Sequence, residues 1–430
     1  MNHDIDAVIS SMQDEFIDFL RGLLRIPSVA EPPNGEEGAS QHYLADKLQS
    51  LGLDVDLFQP DEVPNITEHP LWNPAPKDYT DRPNAVSVWK GSGGGRSLLI
   101  TSHVDVVPLG PLESWEKNGH GPWDADMEEG VIYGRGAVDV KGGLACLVGA
   151  IEALKKVGIQ PKGDVTFASV VDEEHGGMNG SLAVVAKEYT ADATVLIEPT
   201  DMVVCPGTQG GQQIYLYVRG KGVFLVDKHL GVDAIDKMYL VRKELLQLEL
   251  NRNAEFQNEP LLCDLPLPAT VNIQTIKGGD MTGQVADLCS SYIWYTANPG
   301  ETEAKVMGEF QAALDAAAAN DEWLQAHPAE TEVYGKFLDP CSTPLDSPII
   351  GSMHRAIEQV GLPIKPLQYM KSGCDLSRFV LPEAGNMPGV VFGPGDASTA
   401  HTSREQVKVE DLMNTVRVMA HTIIDWCGVS

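Results

Sequence analysis

Two hydrophobic rhythms divide the chain. Short segments rich in Val, Leu, Ile and other apolar residues at 84–90, 97–104, 164–171 and 193–197 read as strands covered on both faces. Apolar residues recur at helical spacing over 8–25, 39–51 (closed by Gly52), 141–157 and 179–189. Strand and helix in alternation predict an α/β fold built on a doubly wound, mostly parallel sheet. Near Thr208 the rhythm changes. QQIYLYVRGK alternates apolar and polar residues, as an antiparallel strand exposed on one face does. A helix at 232–248, strands at 269–276 and 288–295, and a helix from PGET (299–302) to about Asn320 follow. This predicts a small α+β domain, 208–326, inserted between the fourth and fifth strands of the main sheet. The main domain, 1–207 and 327–430, then resumes with a helix at 346–361, strands near Leu367 and at 388–393, and a last helix at 408–426. The Pro- and Asn-rich stretch Pro60–Arg82 reads as a surface loop, and GSGGGR (91–96) as a hairpin turn.

The strand runs share an ending. The first delivers His103 and Asp105, and GRGAVDVKGG delivers Asp139. DVTFASVVDEE ends in Asp172, Glu173 and Glu174, ATVLIEPT carries Glu198, and GVVFGPGDASTAH leads to His401. Parallel strands present their C-terminal ends at one edge of the sheet. Two imidazoles and several carboxylates gathered there form a nitrogen and oxygen donor set suited to zinc, cobalt or manganese. Buried carboxylates without a cation would be costly. The pattern predicts a metal centre, with two divalent ions. His120, His175 and His229 fall outside it as ligands.

Composition narrows the class. The 430 residues are 43% hydrophobic, enough for more than one domain, and the net charge is −30. Such acidity argues against nucleic acid or an anionic membrane as partner. No apolar run approaches the ~20 residues of a membrane span. The N-terminal residues form an amphipathic helical pattern rather than a signal peptide, and seven scattered Cys, Cys263 among them, fit reduced thiols. A cytoplasmic location is the expectation.

SHVDVVP, GRGAVDVKGG, DEEHGG, IEPT and AHTSREQV occur in order. Together they resemble the co-catalytic zinc hydrolases that include aminoacylase, carboxypeptidase G, acetylornithine deacetylase and succinyl-diaminopimelate desuccinylase. The resemblance runs from about residue 10 to 425. It implies a zinc exopeptidase-like main domain and an inserted lid through which many members form homodimers. It would make Asp139 a bridging carboxylate, with His103 and Glu198 completing one metal and Glu174 and His401 the other. Asp105 would lie behind His103 and hold its tautomer. Glu173 would be the general base that takes a proton from the attacking water and delivers it to the leaving amine. KSGCDLSRF (371–379) resembles the element that meets a substrate carboxylate, which makes Arg378 a candidate clamp.

The lid departs from the family. Active relatives carry a His after an RGK-type turn, which stabilises the tetrahedral oxyanion in the partner subunit. Aligning on Arg219-Gly220-Lys221 puts Phe224 at that position and Lys228 at a nearby Pro, with His229 five residues displaced. A second element, Asn-x-Val/Ile-Pro-Asp in relatives, reads GQVAD here, with Gly283 for Asn and Ala286 for Pro. Loss of one oxyanion donor typically costs about 100- to 1,000-fold in turnover. The expected activity is hydrolysis of a C–N amide bond in a small, carboxylate-bearing N-acyl amino acid or peptide-like substrate. One alternative is the same di-metal scaffold turned to C–N bond formation or acyl transfer. Another is a non-catalytic metal-binding dimer, against which the retained Glu173 speaks.

Overall fold

Six strands form the sheet that carries the chemistry. In the computed structural model, which describes residues 5–262 and 265–430, they lie in the order Gly389–Val391, Thr194–Leu196, Leu98–His103, Val165–Val170, Asn84–Trp89 and Val55–Phe58. The first four are parallel, and the last two pairings are antiparallel. Only Asn84–Trp89 therefore opposes the common direction. Every residue of Leu98–His103 and Val165–Val170 is buried. Cover on both faces is why these strands are apolar-rich on both faces and do not alternate with charged residues.

Helix Lys141–Lys156 is buried from Lys141 to Leu154 and packs against Gln13–Leu24 and Val409–Cys427. Its glycines permit the close approach. A Cβ on Gly143 would lie 2.3 Å from Ile197 Cγ2, beside the strand that leads to Glu198.

By contacts the chain forms two compact units. The first runs to Gly207 and resumes over Ser342–Met370 and Cys374–Ser430. The second comprises Thr208–Cys341 with Lys371–Gly373. The second unit holds a four-stranded antiparallel sheet, ordered Val271–Gly278, Leu288–Ala297, Gly210–Arg219 and Glu330–Leu338. Its helices Ala234–Phe256 and Glu303–Ala319 pack on each other. Gly210–Arg219 buries alternate residues, the period-two pattern of its sequence.

Several expectations are corrected. The expected domain boundary at 327 moves to Cys341, because Glu330–Leu338 pairs with Gly210–Arg219. Its first five residues are exposed, so it carries little apolar signal. Val55–Phe58 is a half-buried edge strand without an apolar run, which puts the inserted unit after the fifth strand rather than the fourth. The hairpin expected at 91–96 does not form. Val165–Val170 lies between the two strands that this loop joins. No strand forms at Leu367, where Pro363 and Pro366 remove backbone donors. The first helix breaks at Met12 into Ile5–Ser11 and Gln13–Leu24. Among the described residues no helix is long and apolar enough to cross a membrane, and six cysteines stand as buried thiols. Cys263 lies outside the described residues.

Helix Ala234–Phe256 runs well past the expected end at 248, and Arg252 shows why. Its guanidinium, 1% exposed, donates to Glu301 (2.7 and 2.9 Å), Glu309 (2.6 Å) and the Thr296 carbonyl (2.9 Å). Arg252→Met removes two charge-assisted hydrogen bonds from the buried Glu301 carboxylate, which keeps only Lys305 (3.0 Å) and the Asn298 amide (2.8 Å). It is expected to destabilise the protein by about 3–5 kcal/mol in urea unfolding.

Candidate metal centre

Three adjacent parallel strands deliver the core of the site from one end of the sheet. His103 closes Leu98–His103, Glu198 follows Thr194–Leu196, and Glu173 and Glu174 follow Val165–Val170. Asp139 stands two residues before helix Lys141–Lys156. His401 follows the short turn Ala397–Thr399 in a left-handed backbone, φ +59°. The expected ligands meet in two lobes about Asp139. Its Oδ1 lies 3.3 Å from His103 Nε2, and Glu198 Oε1 lies 3.5 Å from the same nitrogen. Its Oδ2 lies 3.2 Å from His401 Nε2, which is 3.0 Å from Glu174 Oε2. Glu173 Oε2 sits 4.0 Å from His103 Nε2.

The donor set fits a divalent cation. Ligand atoms of His103, Asp139 and Glu174 lie within 4.8 Å of one another. His103 Nε2, Glu174 Oε1 and Glu198 Oε1 are buried without a hydrogen-bond partner. Polar atoms desolvated in this way are paired or coordinate metals in stable proteins.

The electrostatics follow from burial and mutual repulsion. Glu173 is pushed well up by burial, with Glu198, Asp375 and Glu174 adding to it against the opposing pull of His103. Burial and the Asp139 charge raise Glu174 to about 7. Burial works against Asp139, but the attraction of the two facing imidazoles, His103 and His401, outweighs it and holds its carboxyl well below the carboxylate range. His401, half exposed, is raised to about 10 by Asp139 and Glu174.

Asp105 differs from its expected role. The main-chain carbonyl of Asp105 lies 2.9 Å from His103 Nδ1, while the carboxylate is 3.7 Å away. The carboxylate instead accepts the Glu174 amide at 3.0 Å. Two supporting residues escaped sequence reasoning. Glu405, 1% exposed, accepts from the amides of Val138 (3.3 Å) and Asp139 (3.2 Å) and from Arg135 (2.6 Å). Its place four residues after His401, like that of Arg135 four before Asp139, is the signal that could have found the pair. Asp375 is buried near Glu173 and is itself raised to about 7 by burial.

Arg378 is 1% exposed, and its Nη1 donates to Ser377 Oγ at 3.2 Å, so it is no surface ion-pair residue. Phe224 and His229 lie in the second unit, both exposed, Phe224 by 62%. Within their unit the two altered lid positions are neighbours. Leu225 N donates to Gly283 O (3.0 Å) and Val285 N to Val223 O (2.9 Å).

Glu174 and His401 hold protons near neutrality unless a cation displaces them. Metal affinity is therefore expected to rise with pH from about pH 6 to about pH 10, with release of about one proton or more per chain at neutrality. Calorimetry in buffers of different ionisation enthalpy measures both.

Comparison with known proteins agrees with this geometry. The chain matches the pattern of peptidase family M20/M25/M40 over residues 99–425. It is 26% identical over 447 aligned positions to the N-formyl-4-amino-5-aminomethyl-2-methylpyrimidine deformylase of Bacillus subtilis, covering 99% of this chain and 98% of the relative. It is 26% identical over 417 positions to the succinyl-diaminopimelate desuccinylase of Hahella chejuensis, covering 93% and 94%. In fold it resembles an M20 family metallo-carboxypeptidase from Sulfolobus solfataricus, with TM-score 0.74, 18% identity, and 95% and 98% of the two chains covered. The chain belongs to peptidase family M20/M25/M40.

Proposed function

We propose that this protein is a metal-dependent hydrolase of the C–N bond in a small N-acyl compound. The observation that carries this reading is Asp139, whose two oxygens face two different imidazoles while Glu173 stands 4.0 Å from one of them. His103, Glu198 and Asp139 would hold one ion, and His401, Glu174 and Asp139 the other. Zinc suits these donors, with cobalt or manganese as substitutes. Two bound ions would lower the pKa of water and polarise the scissile carbonyl.

The chain's own groups supply the rest. Glu173, whose carboxyl burial makes a better proton holder than an ordinary glutamate, takes the proton of the attacking water and passes it to the leaving nitrogen. Asp105 and Glu405 fix the backbone of Glu174 and Asp139. Arg378 is assigned to a carboxylate of the substrate. Formyl and succinyl groups, named in the relatives, support a small acyl group here. Assembly as a homodimer through the second unit and a cytoplasmic location complete the reading.

A second reading rests on Phe224 and Gly283, which stand where the resemblance calls for two lid donors. On it, the same centre serves acyl transfer or C–N bond formation, with attack by water suppressed.

The test is metal content together with turnover of N-formyl, N-acetyl and N-succinyl amines, amino acids and dipeptides. Hydrolysis of at least one amide is expected, with two ions per chain. Glu173→Gln is expected to keep both ions and lower kcat by about 100- to 10,000-fold. Full activity in that variant would remove Glu173 as the base. Phe224→His separates the two readings, since a large rise in amide hydrolysis would mark a lid tuned away from water.

A further inference from the structure

The stretch Pro60–Arg82 is not a loose surface loop. Val63, Ile66, Leu71 and Tyr79 are buried in it, and three of its polar side chains reach the turn that carries Glu173 and Glu174. Lys77 Nζ lies 2.5 Å from Asp172 Oδ1, with both side chains almost fully buried, at 3% and 2% exposure. The Tyr79 hydroxyl donates to Asp172 Oδ2 at 2.6 Å. Asn73 donates from its side chain to Gly176 O (3.0 Å) and exchanges bonds with Asn179 (2.9 and 3.0 Å). Asn179 also donates to the Tyr79 oxygen at 2.9 Å. The far end is fastened too, because Arg82 meets the buried Glu37 carboxylate at 2.7 Å through both Nε and Nη2.

What these residues grip is the start of an unusual turn. Asp172 has φ +72° and Met178 φ +52°, and the Met178 amide closes back on Asp172 O at 2.9 Å. Left-handed backbone at non-glycine residues persists only where surrounding contacts hold it. Glu173 and Glu174 leave the strand end from that held residue and point to different tasks. Gly177 belongs to the same arrangement. A Cβ there would fall 2.0 Å from Lys77 Nζ and 2.1 Å from Asp172 Oδ2, so a side chain would displace the ammonium.

We propose that residues 73–79 are a positioning strap in which Lys77 and Tyr79, acting through Asp172, set the direction of Glu173 and Glu174. The inference rests on the reading of Glu173 as the base. None of the strap residues touches substrate. Their effect is on placement, and a displacement of 1 Å at a reacting group can cost about 100-fold.

The test compares Tyr79→Phe, Lys77→Met, Gly177→Ala, Asp172→Asn and the Lys77→Met/Asp172→Asn double variant, each loaded with metal. Readouts are kcat, KM and hydrogen exchange of peptides covering 172–178. Lys77→Met and Gly177→Ala are expected to lower kcat by about 100-fold while KM moves less than about twofold. Exchange should rise over 172–178 and stay unchanged over 98–103. The double variant should be no slower than the slower single, because both act on one contact. Unchanged kcat in the single variants, or additive losses in the double, overturns the strap. Tyr79→Phe keeps the ring and its packing. It decides the matter if Lys77→Met does not fold, faster exchange at 172–178 supporting the strap and wild-type exchange overturning it. If the wild-type protein hydrolyses no amide, the functional reading fails by itself. The strap is then judged on exchange alone, by the same two outcomes.

Discussion

Six carboxylates crowd around two imidazoles, and their repulsion organises this molecule. Asp105, Asp139, Glu173, Glu174, Glu198 and Asp375 all lie in or beside one buried cluster. Desolvation pushes most of them toward the protonated form, and His103 and His401 oppose it. Such a cluster would scatter unless the backbone that bears it were rigid and unless cations could neutralise it. Both requirements account for features that otherwise look arbitrary.

Rigidity comes first from the sheet. Three parallel strands, fully buried and laterally bonded, leave His103, Glu198 and the Glu173–Glu174 pair little freedom at their ends. Beyond the strand ends, single side chains take over that task. The carboxylates of Glu405 and Asp105 accept the Asp139 and Glu174 amides, and the Asp105 carbonyl faces the His103 ring. These acceptors turn backbone into scaffold. Each is nearly inaccessible to water, so none can be exchanged for solvent without exposing a polar group.

The second unit follows a different logic. Its sheet is antiparallel and covered on one face by helices, and its largest exposed apolar residues include Phe224, Leu225 and Val226. Phe224 and Gly283 lie in this unit, and the short pairing of 223–225 with 283–285 places them side by side. Two positions far apart in the sequence are thus one local feature.

Sequence alone determined the α/β class and the insertion near Thr208, and it singled out His103, Asp139, Glu174, Glu198 and His401, side chains that the fold brings together. Each is written as local pattern, in buried apolar runs, a change of period, and polar residues at run ends. What it missed has a common cause. Val55–Phe58 and Glu330–Leu338 are edge strands whose half-exposed faces carry little apolar signal. The support of Asp139 by Glu405 spans 266 residues of chain, and the grip of Lys77 on Asp172 spans 95. A sequence reveals what neighbouring residues favour. Pairings across such distances depend on the packing of whole elements, so only the tertiary structure decided that a stretch without periodicity would bond to the turn that carries Glu173 and Glu174.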